Sequence, residues 1–457
     1  MNFLGIDFDI KTLPTLDRGF LPLGAFIDSY LKGAHKPVSF AVTRPGGAVS
    51  VYDTFIYGTP EMQPADTFYA ARLVKLLLWM RGGAEVAVYG DDEIAAYLQK
   101  EYGENGSRAF DAAFMTRVYE KPFTVTAVSQ KPVSREQATP IGGHFDGCRI
   151  GFDAGGSDRK VSAVIDGQAV YSEEVVWYPK INEDPDYHYD GILQAFKTAA
   201  SKMPRVDAIG VSSAGIYVNN RTMVASLFLK VPQALFDQKV KDIYIRVARE
   251  FGNVPLAVAN DGDVAALAGA MEMDEGRILG LAMGTSQAVG YVDSEKNITG
   301  WLNEFAFVPV DCNPEAMVDE WSGDIGCGVK YFSQDGVIKL AAMAGITLEE
   351  GHSPAQKLKA VQSLMEAGDK RAKAIFHDIG VYLAHAVNLY ARFYDMGHIL
   401  LMGRVMSGAG GNLILSTAQA VLAAEYPVHA KQITLALPDE NSRRVGQSAA
   451  AAGLPQI

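Results

Sequence analysis

Two adjacent glycines between apolar stretches form the most informative candidate binding site of this chain. The segment from Gly151 to Gly167, GFDAGGSDRKVSAVIDG, predicts a strand, a tight turn at Gly155 and Gly156, and a second strand. Backbone N–H groups at such a turn can approach an anion closely, and Ser157 adds a hydroxyl donor. Asp153, at the end of the first strand, is a candidate magnesium ligand, directly or through water. An ordinary glycine hairpin with a solvated Asp is the alternative interpretation.

A second acidic candidate follows a later strand. The segment from Pro255 to Gly269, PLAVANDGDVAALAG, predicts a strand that continues through Asn260 and Asp261 into an alanine-rich helix. A carboxylate within reach of an alcohol can accept its proton during phosphoryl transfer, and an Asn can both donate to and accept from a neighbouring hydroxyl. The alternative is that Asn260 and Asp261 cap a helix beginning near Val264. If Asp261 is a base, Asp263 is the expected cap.

These two segments belong to a longer ordered set. VDAIGVSSAG (Val206 to Gly215) lies between them, and ILGLAMGTSQAVGYVD (Ile278 to Asp293) follows them; each predicts a strand that ends in a turn of small residues. In this order the four segments resemble the ROK family of sugar kinases and repressors, within the actin-like ATPase superfamily. The resemblance extends from about Gly151 to the C-terminus, roughly two-thirds of the chain. It implies an α/β fold with two ribonuclease H-like lobes around a cleft, preceded here by an additional N-terminal α/β domain.

The resemblance implies an ATP-dependent sugar kinase that uses Mg²⁺. The catalytic Asp of the family follows an Asn at a strand-to-helix junction, so Asp261 becomes the general base. The segment from His398 to Leu415 resembles the adenosine segment, but Gly403 and Arg404 here precede the paired glycines that the family places directly after the strand. The implied sugar contacts are Ser213, Ala214, Gly215, Asn260 and Asp261, and the implied ATP contacts are Asp153, Gly155, Gly156, Ser157, Gly284, Thr285, Ser286, Gly410 and Gly411.

One family segment is altered. The family has a Gly-Glu-Ile-Gly-His segment after the second phosphate turn, with its Glu and His facing the sugar; here Glu304 is kept and Phe307 replaces the His. That His is also a zinc ligand in the family, and the cysteine cluster that normally follows is missing. We therefore predict no structural zinc, and we interpret Cys312 and Cys327 as isolated core thiols.

A further sugar-facing acid has no clear counterpart. Glu320 or Asp319 lies just before Trp321-Ser322-Gly323, which resembles the family's Ser-Gly helix start. A solvated surface charge is the alternative for either residue. Four aromatic residues after the glycine hairpin, in a predicted loop, are candidates for gating a substrate: Trp177, Tyr178, Tyr187 and Tyr189.

Composition restricts the remaining possibilities. The chain has 457 residues, 48% of them hydrophobic, which is enough for well-formed cores. The net charge is −12, and the sequence has no concentrated run of Lys and Arg. Both observations disfavour a nucleic-acid partner. Three scattered cysteines do not suggest a disulfide framework, and the apolar runs are too short to span a bilayer. We expect a cytoplasmic protein with a small-molecule sugar substrate and no membrane partner; a homodimer stays open.

The segment from Ser129 to Gly147 is rich in breakers and predicts a linker. The predicted domains are 1–145, an N-terminal α/β domain of unknown role; 146–261 with 442–457, the first kinase-like lobe; and 262–441, the second. Before the linker the pattern predicts a hairpin over 38–57, helices over 67–80 and 91–102, and strands over 84–89 and 123–128. This order fits either a degenerate copy of the kinase-like fold or an unrelated accessory domain.

Two function classes stay open on this basis. The first is an ATP-dependent carbohydrate kinase with Asp261 as its base. The second is a non-catalytic sugar-sensing or regulatory protein, for which Phe307 and the altered adenosine segment would mark lost chemistry. ROK repressors carry a basic winged helix-turn-helix before the kinase-like lobes, whereas the segment here is acidic in balance and begins with a hairpin. Either protein is therefore expected not to bind DNA.

Overall fold

The structure is a computed structural model, and it describes residues 1–136, 141–438 and 442–457. The strands are β1 (Asn2–Phe3), β2 (Ile6–Asp7), β3 (Lys36–Thr43), β4 (Val49–Ile56), β5 (Glu85–Tyr89), β6 (Thr124–Val128), β7 (Cys148–Ala154), β8 (Asp158–Ile165), β9 (Gln168–Val176), β10 (Ala208–Ser213), β11 (Ile216–Val218), β12 (Arg221–Val224), β13 (Leu256–Asn260), β14 (Ile278–Met283), β15 (Gln287–Val292), β16 (His398–Met402) and β17 (Thr434–Ala436).

The α-helices are α1 (Leu23–Tyr30), α2 (Gln63–Arg81), α3 (Asp92–Glu101), α4 (Ala109–Tyr119), α5 (Pro185–Ala200), α6 (Gln233–Leu235), α7 (Ile243–Arg249), α8 (Asp261–Met273), α9 (Gln334–Met343), α10 (Pro354–Glu366), α11 (Lys370–Tyr390), α12 (Gly408–Glu425), α13 (Pro427–Gln432) and α14 (Ser442–Ala452). None of the described helices is both long and apolar enough to cross a membrane.

The chain forms two compact units. The first consists of the described parts of Met1–Gln137, Leu281–Val289 and Trp301–Leu437, and the second of the described parts of Ala138–Gly280, Gly290–Gly300 and Pro438–Ile457. The three-domain division expected from the sequence stays a prediction. Part of the predicted linker, 137–140, and the predicted boundary at 441 lie outside the described residues.

The second unit is built on a five-stranded mixed sheet with the order β13-β10-β7-β8-β9. The predicted glycine hairpin is confirmed, since β7 and β8 pair antiparallel from Cys148 opposite Ile165 to Ala154 opposite Arg159. On its other side β7 pairs parallel with β10, which pairs parallel with β13. Parallel strands end at the same edge of a sheet, so the ends of β7, β10 and β13 bring their terminal residues together.

The C-terminal helix, α14, packs on this sheet at two paired glycines. Gly151 on β7 lies opposite Gly210 on β10, and helix α14 packs on both strands. A β-carbon on Gly151 would lie 1.8 Å from the Ser448 carbonyl oxygen, and one on Gly210 would lie 1.6 Å from that of Ala451. Helix α14 therefore packs closely on the strands β7 and β10 of this sheet.

Replacing Gly210 by Ala should destabilise the second unit, because the new methyl group would force helix α14 away from the sheet. Overpacking of this kind typically costs about 1–3 kcal/mol. Urea unfolding of the variant measures the loss. Gly446→Ala in the same helix is the matched control, since its β-carbon would meet only the Ala268 methyl at 3.9 Å. Equal stability of the two variants would contradict this packing.

The first unit holds two four-stranded sheets. The N-terminal one has the order β4-β3-β5-β6, with β3 antiparallel to β4 and β5, and β5 parallel to β6. The predicted hairpin, helices and strands of this segment are confirmed within a few residues of their ends. Helix α2 is buried without interruption from Tyr69 to its last residue, Arg81. The other sheet has the order β15-β14-β16-β17.

The N-terminal segment is joined to the C-terminal helices of the same unit by partly buried hydrogen bonds. Helix α1 packs against α11, where the Asn388 amide donates to Asp28 at 2.7 Å. The Thr12 carbonyl oxygen, in the segment before α1, lies 2.9 Å from Nε2 of His385 on α11. The first unit therefore includes the predicted N-terminal domain together with residues 301–437.

Candidate active site

The glycine turn is fixed by a hydrogen bond from the buried indole of Trp177. The Trp177 Nε1–H donates to the Gly155 carbonyl at 2.8 Å, and the Trp177 side chain is buried. A β-carbon on Gly155 would lie 2.8 Å from the Asp158 backbone oxygen, so the turn requires glycine there. The Ser157 hydroxyl donates to the Asp158 carboxylate at 2.9 Å. In this geometry the turn presents backbone and glycine surface, while the exposed hydroxyl of Ser157 is paired with the neighbouring Asp158 carboxylate.

Asp153 lies at the carboxyl end of β7, almost completely buried. The Ser212 hydroxyl, opposite it on β10, donates to its carboxylate at 2.8 Å. Burial raises the pKa of Asp153 to about 6, and the negative charge of Asp261 adds to this rise. Two carboxylates that repel one another across a strand end suit a divalent cation, since Mg²⁺ is commonly held by one or two carboxylates together with substrate phosphates. The residues present therefore fit a magnesium ion.

Asp261 is the first residue of helix α8, directly after strand β13. Asn260 is the N-cap residue: its Oδ1 accepts from the Gly262 N–H at 2.8 Å. The expectation that Asp263 caps this helix is wrong, because Asp263 is buried and accepts from the Tyr291 N–H at 3.1 Å. The helix begins three residues earlier than expected, since the side chain of Asn260 already satisfies its first turn.

Burial also raises the pKa of Asp261, while the Gly262 N–H and the positive charge of Lys180 oppose the rise. A carboxylate with a raised pKa is a stronger proton acceptor than a solvated one, which is a property expected of a general base. Asp153, Asp261 and Lys180 thus form a group of interacting charges at the strand ends of the second unit.

The predicted sugar loop is tied together internally. The Ser213 hydroxyl accepts from Tyr217 at 2.6 Å and from Tyr244 at 3.0 Å, and burial raises the pKa of both phenols, which keeps them protonated donors. Gly215 has φ +136°, and its carbonyl accepts from the Asn260 amide at 2.7 Å. The structure thus brings Ser213, Gly215 and Asn260 together around Asp261. Their sugar contacts stay a prediction.

Ala214 lies within this loop, and its carbonyl accepts from Tyr217 at 3.2 Å. The amide of Asn260 keeps one N–H and one lone pair beyond the contacts described above. The carboxylate of Asp261 and the remaining capacity of Asn260 are therefore the side-chain groups at this junction best able to meet a hydroxyl.

The second predicted phosphate turn belongs to the first unit. The Gly284 N–H donates to the Ser286 carbonyl at 2.9 Å, which closes the turn around Thr285. The Gly284 carbonyl accepts from Gln334 at the start of helix α9 at 2.9 Å. Both ends of the turn are therefore fixed, and its contact with ATP stays a prediction.

The predicted adenosine segment has its sharp turn at Gly403, which follows β16 with φ +93° and approaches the Met283 carbonyl so closely that a β-carbon would lie 2.3 Å from it. Gly410 and Gly411 instead lie inside helix α12, buried. A β-carbon on Gly410 would lie 2.7 Å from the Phe376 ring. These two glycines therefore have a packing reason of their own, and their nucleotide role stays a prediction.

Phe307 belongs to an aromatic cluster with the N-terminal helices. Its ring centroid lies 4.2 Å from Trp79 on α2 and 5.9 Å from Phe110 on α4. The neighbouring Glu304 is half-buried, and its N–H donates to the Trp79 carbonyl at 2.9 Å. The N-terminal segment thus packs directly against the position where the resemblance leads us to expect a His. This explains why an aromatic side chain is suited to residue 307.

The two acids at 319 and 320 have different surroundings. Asp319 is buried and accepts from the Ser322 N–H at 2.8 Å and from its hydroxyl at 2.6 Å. Glu320 is 69% exposed and pairs with Lys330 at 2.5 Å. Asp319 therefore closes a local turn, whereas Glu320 is an exposed acid held by a lysine. Its predicted sugar contact stays a prediction.

All three cysteines are free and buried, which confirms the interpretation of core thiols for Cys312 and Cys327. In the ranges that the structure describes, no group of three or more His, Cys, Asp or Glu side chains is arranged to hold a metal ion. We predict that purified, untagged protein carries no more than trace zinc, because Phe307 cannot coordinate it. Elemental analysis measures this, and one zinc per chain would contradict the prediction.

Lys180 is the residue that the sequence did not reveal. It lies in a short 3-10 helix, Pro179–Ile181, between β9 and α5. A single lysine in a Pro-Lys-Ile stretch carries no recognisable pattern. The aromatic residues around it were expected in one loop, but Trp177 is buried, and Tyr187 and Tyr189 lie on α5.

Comparison with solved structures finds the same fold in sugar kinases. The ROK hexokinase of Thermus thermophilus superposes with a TM-score of 0.52 at 18% identity, covering 67% of this chain and 97% of the hexokinase. A protein assigned as a sugar kinase from Cytophaga hutchinsonii gives 0.50 at 16% identity, covering 67% and 98%. No protein-family model and no curated protein sequence matches the chain. The resemblance to ROK proteins is confirmed at the level of the fold, over two-thirds of the chain.

Proposed function

We propose that this protein is an ATP-dependent ROK-type carbohydrate kinase in which Asp261 is the general base. The observation that carries the proposal is the position of Asp261, half-buried at the start of α8 and at the same sheet edge as Asp153. Strand ends of an open α/β sheet are where ligands bind in such folds. A base, a phosphate-binding turn and a fold shared with sugar kinases point to one reaction.

In the proposed reaction the Asp261 carboxylate accepts the proton of a sugar hydroxyl. The hydroxyl oxygen attacks the γ-phosphorus of ATP, the bond from that phosphorus to the bridging oxygen breaks, and ADP leaves. Asn260 orients the hydroxyl with the hydrogen-bonding capacity that it has left. Asp153 would hold Mg²⁺, which neutralises phosphate charge when bound. On a protein with a net charge of −12, this neutralisation matters for nucleotide binding.

The proposal includes the finer architecture expected from the sequence. Residues 146–261 with 442–457 would form one ribonuclease H-like lobe and 262–441 the other, with sugar and ATP binding between them. Residues 1–145 would form an additional α/β domain of unknown role, and the protein would act in the cytoplasm without nucleic acid. Its assembly as a monomer or homodimer is left to measurement.

A non-catalytic sugar sensor is the second candidate function. It is favoured by the internal partners of Ser213 and Asn260 and by the aromatic cluster at Phe307, because these groups are less available to a substrate. A sensor would bind a sugar without consuming ATP.

Incubation with magnesium-ATP and a panel of hexoses, hexosamines and sugar acids tests the proposal, with ADP release as the readout. A kinase should release ADP in excess of the sugar-free control with at least one member of the panel. Sugar binding by calorimetry without any ADP release would favour the sensor.

A further inference from the structure

We propose that Lys180 is a phosphate-binding residue, which contacts the phosphate oxygens of the nucleotide beside the glycine turn. The inference rests on the proposed function and deepens it, because it adds a cation to a site predicted only from glycines and acids. Four features of the second unit support it.

The first feature is the position of the ammonium group over the turn. A β-carbon built on Gly156 would lie 2.8 Å from Lys180 Nζ and 2.7 Å from its Cε. The lysine side chain therefore occupies the space that any other residue at 156 would fill. An anion bound by the backbone of this turn would meet the ammonium group at the same place.

The second feature is the attachment of the chain just before Lys180. The Trp177 N–H donates to the Ser157 carbonyl at 3.1 Å, and its indole donates to Gly155 at 2.8 Å. These bonds reach both sides of Gly156. The segment carrying the lysine is thus fastened to the turn itself.

The third feature is the attachment around Lys180. His188 is fully buried, with Nε2 2.9 Å from the Pro179 carbonyl oxygen and 3.2 Å from that of Leu227. Its Nδ1 lies 3.1 Å from the Asp184 carbonyl oxygen. The imidazole therefore anchors the short helix that carries Lys180, whose own side chain is exposed.

The fourth feature is the charge around the turn. An anion entering there meets the carboxylates of Asp153, Asp158 and Asp261, which would repel it. Lys160 lies 3.5 Å from Asp158 and offsets that charge. Lys180 forms no ion pair with any part of the chain that the structure describes, so its charge is available to a phosphate. A charge-assisted contact of this kind is stronger than a neutral hydrogen bond.

The test compares Lys180→Met with Lys202→Met, a matched loss of charge in the same unit, where the ammonium lies 5.0 Å from the Tyr171 ring. Calorimetry gives the Kd for magnesium-ATP and, separately, for the sugar. We expect Lys180→Met to weaken magnesium-ATP binding about 10- to 100-fold, as for loss of a hydrogen bond to a charged group, with the sugar Kd unchanged. Lys180→Arg should restore most of the affinity, and Lys202→Met should match the wild type.

A second variant guards against a folding artefact. Gly156→Ala keeps the lysine charge but places a methyl group against it, so it should also weaken magnesium-ATP binding. Wild-type affinity in Lys180→Met would overturn the role of Lys180 while leaving the kinase proposal standing, provided that the wild type phosphorylates a sugar. A wild-type protein that neither binds magnesium-ATP nor phosphorylates a sugar would overturn both.

Discussion

Replacing Asp261 by Asn should lower turnover of the best sugar substrate at least about 100-fold while changing its affinity far less. Asn is nearly isosteric with Asp and can still hydrogen-bond a hydroxyl, but its amide cannot accept the proton. A positioned base is typically worth about 100- to 10,000-fold in rate, or roughly 3–5 kcal/mol in the barrier. Steady-state kinetics and calorimetry on the same preparation measure the two effects.

Asp263→Asn is the matched control, because Asp263 lies two residues later on the same helix and accepts a backbone hydrogen bond inside the protein. This variant should lose stability and keep its chemistry. Wild-type turnover in Asp261→Asn would mean that Asp261 only completes the first turn of helix α8.

The raised pKa of Asp261 gives the wild type a pH signature. A base works only when deprotonated, so activity should fall on the acid side at a pH above the ordinary aspartate value of about 3.9. An acid limb at the ordinary value would indicate that the essential carboxylate is solvated and lies elsewhere.

Replacing Asp324 by Asn should strongly destabilise the first unit. Its carboxylate is buried and pairs with Arg72 and Lys75, each at 2.8 Å, and with Arg108. These three cations together hold the pKa of Asp324 well below its usual range against the opposing effect of burial. Breaking a buried pair by removing one partner costs about 3–5 kcal/mol, because the cations that remain stay buried without their counter-charge.

Urea unfolding followed by tryptophan fluorescence measures this loss, since Trp79 donates to Asp111 beside Lys75 in the same cluster. Asp53→Asn is the control, because Asp53 pairs with Lys131 at the surface and exposed pairs are worth about 1 kcal/mol or less. Equal losses in the two variants would show that the Asp324 cluster does not fasten α2 to the segment around residue 324.

The parts of the site that could be predicted are those formed by residues that are close together in the sequence. The hairpin around Gly155 follows from two apolar strands and a glycine pair, and the junction at Asp261 follows from a strand that runs into an alanine-rich helix. Local propensity decides such features, so the sequence is sufficient. Capping by Asn260 was one of two alternatives that the sequence left open, because Asn260 and Asp263 are both good caps, and the contact of Asp263 with Tyr291 decides between them.

Lys180 and the Asp324 cluster could not be predicted, because they depend on distant parts of the chain. Lys180 reaches Gly156 because Trp177 fastens the segment before it to the hairpin, while His188 holds the Pro179 and Leu227 carbonyls together. Asp324 meets Arg72 and Arg108 across more than 200 residues of sequence. No local pattern marks either residue, and pairing over such separations follows from packing in the finished fold.

Transfer of labelled phosphate from ATP to a sugar tests the central proposal most directly. The wild-type protein and Asp261→Asn are incubated with γ-labelled ATP, Mg²⁺ and the sugar that releases most ADP, and the products are separated. A kinase with Asp261 as its base predicts label in a sugar phosphate from the wild type and almost none from the variant. Label that stays in ATP, although the wild type binds the sugar, would contradict the kinase function.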